Sequence, residues 1–157
     1  MHRVVGIITE GNTPKEARSN AIEFLDSETN HGEWVDWYQG VKESGRWDVK
    51  QFPDEPIQLT SITANTLCKK LIKNSHADFD LWFKKGLDGL KEQGKKNLES
   101  TCGYFRLASG SNACWLFDYT SWSGGGNVRD SEGLARLRQY LRHEKKKAYV
   151  CLFDTHN

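Results

Sequence analysis

The chain lacks most of the features that assign a function quickly. No apolar run approaches the ~20 residues that cross a bilayer, and Met1-His2-Arg3 leads straight into strand-forming residues with no leader-like segment. A membrane partner is therefore not expected, and a cytoplasmic location is. Cysteine is sparse: Cys68, Cys102, Cys114 and Cys151 stand far apart and form no Cys-x-x-Cys pair, which removes the usual zinc signatures and reads as reduced, mostly buried thiols. The five histidines, His2, His31, His76, His143 and His156, have no ligand spacing, so neither a metal nor a cofactor is expected. Gly-x-Ser-x-Gly, the Gly-Lys-Ser/Thr ending of a P-loop and Gly-x-Gly-x-x-Gly are all missing. With a net charge of +1, bulk electrostatics neither require nor exclude a nucleic-acid partner. There is no internal repeat and no low-complexity linker, and 157 residues fit one domain spanning 1–157.

Aromatic residues are plentiful. Six Trp, five Tyr and seven Phe argue against disorder, and they crowd the stretch from Trp34 to Trp47. There Trp34, Trp37, Tyr38 and Trp47 stand beside Arg46, rings that can stack on a planar ligand next to a guanidinium that can hold an anion. The same rings would also fill a core, with Arg46 paired to a carboxylate such as Asp36. Charge is unevenly spread. Glu10 to Asp36 holds seven acidic and two basic residues, whereas Arg129 to Lys147 holds seven basic and three acidic ones.

Local patterns divide the chain into elements. Arg3 to Thr9 reads as a buried strand. Thr13, Pro14 and Glu16 then open a helix with a capping box, and Ala17, Ala21, Phe24 and Leu25 give it an inward stripe. Short strands are expected at 33–39 and 46–52, a helix at 64–73, and a second capping box at Ser75 and Asp78 opening another helix that stops near Gly94. Residues 103–107 and 113–119 read as a hairpin turned at Ser109 to Asn112, and Gly124 to Asn127 as a loop. Asp130 or Ser131 caps a helix carrying Leu134, Leu137 and Leu141 inward, and residues 148–153 form the last strand. This order predicts an α+β fold, a mainly antiparallel sheet with helices on one face in a ferredoxin-like manner.

Two weak signals point to chemistry. If the last strand stays extended, Asp154 and His156 face the same side, where a carboxylate can orient an imidazole for acid–base work. If it frays, His156 lies in a loose tail. The Arg136, Arg138, Arg142 and Lys145 to Lys147 cluster offers nucleic acid a basic surface over 136–147, or simply a solvated helix face favoured by the helix dipole.

Asp36-Trp37-Tyr38 and Gly45-Arg46-Trp47, together with the closing Asp154-Thr155-His156, resemble an uncharacterised family of small phage and mobile-element proteins. These carry an Asp-Trp-Tyr, Gly-Gly-Arg-Trp signature and a last strand ending in Asp-Cys-His. The chain departs from the pattern in a longer interval between Tyr38 and Gly45 and in Ser44 where the first glycine would stand. The resemblance implies that Arg46 and His156 approach one another. A pocket of Trp37, Tyr38, Arg46 and Trp47 binding a nucleotide-like or phosphate-bearing ligand is the resulting expectation, with His156 and Asp154 as catalytic candidates and Thr9 at the same sheet edge. The rival expectation is a non-enzymatic inhibitor or adaptor that binds a host protein or a nucleic-acid complex.

Overall fold

The β-branched run expected as a buried strand is β1 (His2–Glu10), which pairs antiparallel along its whole length with β6 (Ala148–His156), from His2 opposite His156 to Glu10 opposite Ala148. The computed structural model describes residues 2–31, 35–93, 102–104, 114–122 and 126–156. Four more strands complete the sheet: β2 (Trp37–Gly40), β3 (Ile57–Gln58), β4 (Leu116–Tyr119) and β5 (Gly126–Asn127). β2 and β3 lie end to end against the outer edge of β6, while β4 runs parallel to β1 and carries β5 antiparallel on its far side. The fold is α+β, and no helix among the described residues is long and apolar enough to cross a membrane.

Helices cover both faces of the sheet, not one. The reason lies in β1 and β6, whose side chains are buried on both sides and so need a cover on each. Val5, Ile7, Cys151 and Phe153 pack under Ala17, Ala21, Phe24 and Leu25 of α1 (Pro14–His31). Val4, Ile8, Val150 and Leu152 pack under α3 (Ile62–Gln93) and α4 (Ser131–His143), through Leu67, Leu71, Leu134, Leu137 and Leu141. Each fully buried Leu or Ile contributes about 1.5–3 kcal/mol, so the two central strands anchor the molecule. Gly6 sits where α3 comes closest. A Cβ there would stand 2.6 Å from Leu71 Cδ1, and its absence is what admits that leucine.

Caps read from the sequence hold. The Glu16 N–H donates to Thr13 Oγ1 and the Glu16 carboxylate accepts from Asn12 N, while Asp130 Oδ1 accepts from Gly133 N at 2.6 Å. Ser75 does not cap. Its hydroxyl donates to the Leu71 carbonyl and accepts the Trp115 N–H, so it serves the interior of one continuous 32-residue helix. Residues 46–52 form no strand, because α2 (Val41–Ser44) ends on Gly45 at φ +62° and Asp48 then folds the chain into a turn, accepting from Lys50, Gln51 and Phe52 N–H groups. Gly126 and Asn127 belong to β5 and not to a loop, and residues 103 and 104 are helical where a strand was expected. The rest of that expected hairpin arm, its Ser109 to Asn112 turn, and Gly124 and Gly125 lie outside the described residues. All four cysteines are free, and burial pushes the thiols of Cys68 and Cys151 up to about 11.

Candidate functional site

β6 stays extended to its end, so His156 is held in the sheet, and alternation puts it on the same face as Asp154. Register then brings two more residues in. His2 of β1 and Trp37 of β2 both stand opposite His156, and the three side chains form a row across the end of the sheet. The His2 and His156 ring centroids are 5.0 Å apart, and His2 meets Trp37 edge to face at 5.9 Å.

Asp154 lies directly beneath this row and is fully buried. Its Oδ2 is 3.4 Å from His2 Nδ1 and 3.8 Å from Arg46 Nε, yet among the described residues neither carboxylate oxygen has a hydrogen-bond partner, and the buried His2 Nδ1 has none either. A buried polar group left without a hydrogen bond costs about 1–3 kcal/mol, more when charged, so such groups persist chiefly where a site needs them. Arg46 arrives from the turn that Gly45 opens. More than half of its side chain (56%) is exposed, and its guanidinium makes no hydrogen bond to a described residue. Trp37 is likewise open to solvent, at 41%.

The ion-pair partners differ from the expected ones. Asp154 faces His2 and Arg46, whereas His156 Nδ1 lies 3.6 Å from the exposed Asp36. The Asp36 N–H also donates to the His156 carbonyl at 2.8 Å, which fixes that pair to the edge of β6. Two carboxylate–imidazole pairs therefore stand side by side, one buried and one exposed, with a guanidinium and an indole at their rim. In this arrangement a proton can be taken and returned by different imidazoles, while Arg46 offers a planar fork to an anion.

Other candidates fall elsewhere. Tyr38 projects to the opposite face, packing edge to face on Phe153 and donating its hydroxyl to Asp26 of α1; burial and that bond push its phenol up to about 12. It belongs to the α1-side core. Trp47 is half-buried against the α3-side core, edge to face with Phe52, and serves packing more than recognition. Thr9 is at the far end of β1 from His2, buried, with its hydroxyl bonded to the Ala17 carbonyl. Arg46, Asp154, His156 and Trp37 do gather. His2 was missed as a site residue because nothing in a single sequence says that the second residue pairs with the penultimate one.

Comparison with protein-family models, curated proteins and solved structures returned no match.

Proposed function

We propose that the protein binds a nucleotide-like, phosphate-bearing ligand at the end of the sheet, with Trp37 stacking on the planar group, Arg46 taking the phosphate, and His2 and His156 placed for proton transfer. The observation that carries this reading is Asp154. A fully buried carboxylate with no hydrogen bond to a described residue, held between an imidazole and an exposed guanidinium, is better accounted for as the orienting group of an anion site than as part of a core. The resemblance to phage and mobile-element proteins rests on residues of this same cluster, and we read the chain as one of that kind. In a hydrolytic version one imidazole takes a proton from the water attacking phosphorus and the other returns one to the leaving oxygen. His2, with Asp154 beside its Nδ1, is then placed to take the proton, and His156 to return it.

A second reading, a non-enzymatic adaptor that binds a host protein, is favoured by α3, whose second half turns Phe79, Leu87 and Leu90 toward solvent. The two are separated by incubating the protein with linear nucleotides, cyclic nucleotides and dinucleotide cofactors, and following products by chromatography across pH. The proposal predicts a retained ligand and, in its hydrolytic version, a pH-dependent rate that His2→Ala and His156→Ala each lower by about 10² with binding largely kept. Binding without products at any pH assigns sequestration. No retained ligand from any class leaves the adaptor reading.

A further inference from the structure

Ala148, at the opposite end of β6 from Asp154 and roughly 20 Å along the strand, borders a second feature. Two adjoining cavities of about 420 and 470 Å³ follow the seam between α3 and α4 and share Asn65, Arg138 and Arg142 as walls. Their linings collect Lys69, Arg138, Arg142, Lys146 and Lys147 and include no carboxylate.

These cations differ in what they are free to do. Arg138 is built into the wall, its guanidinium donating to Asn65 Oδ1 at 2.7 Å and to the Leu59 carbonyl at 3.2 Å. Lys146 is held by Glu10 at 3.1 Å and by Ser121. Lys69, Arg142 and Lys147 are exposed, and none of them is ion-paired to a described residue. The first turn of α3 adds its own positive end to the same cavity, with Ser61 Oγ accepting from Ala64 N and further N–H groups near it. In a chain of net charge +1, this gathering of cations makes the furrow a local positive patch that draws an anion.

We propose that this furrow holds the sugar–phosphate backbone of a single-stranded nucleic acid. The seam is one furrow, which suits a single flexible backbone better than the two rigidly spaced strands of a duplex. Along the 13 residues of α4 it runs about 20 Å, enough for several phosphates. No aromatic side chain among the described residues lines it, so binding comes from phosphate contacts and is indifferent to base sequence.

The test is fluorescence anisotropy of a labelled single-stranded oligothymidylate titrated with the whole protein at a series of salt concentrations. Three free cations predict a slope of log affinity against log salt of about −2, each cation contributing about −0.7. The paired variant Lys69→Glu, Arg142→Glu is expected to bind at least about tenfold more weakly at low salt, and Lys147→Gln alone to flatten the slope by about 0.7. Lys15→Gln, exposed on α1 across the sheet, leaves this binding unchanged. All the substituted side chains are exposed, so thermal midpoints near the wild-type value are expected and are measured alongside. The proposal is overturned if the wild-type protein fails to bind the oligonucleotide at low salt, if the charge-reversed variant binds as well as the wild type, or if a duplex of equal length binds as tightly.

Discussion

Arg46→Lys is expected to keep the fold and lose the ligand. The two side chains carry the same charge, so Asp154 keeps a cation above it, but only the guanidinium presents a planar fork to a phosphate. Affinity for a phosphate-bearing nucleotide should fall about tenfold in the lysine variant and on the order of 10²-fold in Arg46→Ala, read by calorimetric titration. The alanine variant also leaves Asp154 facing His2 alone. Breaking a buried pair costs about 3–5 kcal/mol, but Arg46 is more than half exposed, so about 1–2 kcal/mol is the expected loss of stability. Combining Arg46→Ala with Asp154→Asn should recover that stability and not the affinity. If the lysine variant binds as the wild type does, recognition does not pass through the guanidinium.

The second large effect is a separation of stability from function at Asp154. Replacing this carboxylate by its neutral isostere in Asp154→Asn removes a buried charge that has no hydrogen bond to a described residue, and leaves Arg46 free in solvent where it needs no partner. The thermal midpoint should stay or rise. Ligand affinity, and any turnover, should drop by about 10², because His2 loses the group that orients its ring and Arg46 loses its anchor. A midpoint lowered by several degrees, with binding lost only in step with unfolding, would make Asp154 a structural ion-pair member and remove the main support for the site.

What the sequence showed of this fold follows from the range of the interactions involved. Thr13 with Glu16, and Asp130 with Gly133, are contacts within one helical turn, and each was legible as a cap. The stripes on α1 and α4 were legible for the same reason. Ser75 misled because a hydroxyl followed by an acid three residues on reads as a cap, whereas here it bonds back to Leu71 and across to Trp115, a partner 40 residues away. Trp47 and Phe52 suggested a strand through their β propensity, but Asp48 competes by folding its own backbone into a turn. The coverage of both sheet faces could have been inferred from the unbroken apolar runs of β1 and β6, which do not alternate.

The site was partly legible. Side-chain alternation correctly put Asp154 and His156 on one face, and the aromatic and guanidinium stretch did reach them through β2 and the Gly45 turn. Its partners were not legible. That Asp154 takes His2 and Arg46 while His156 takes Asp36 depends on the β1–β6 register, which joins residues 154 positions apart, and on the bend at Asp36 that separates Val35 in the α1-side core from Trp37 at the open row. Register is a property of the assembled sheet.

The central claim is that the Trp37, Arg46, His2 and His156 cluster retains a phosphate-bearing small molecule, and native mass spectrometry of the protein taken directly from the cells that make it tests this most directly. An adduct of nucleotide-like mass is expected on the wild-type chain, lost on collisional activation and absent from Arg46→Ala prepared the same way. A wild-type protein that carries no small molecule, and acquires none from a nucleotide panel added before the measurement, would contradict it.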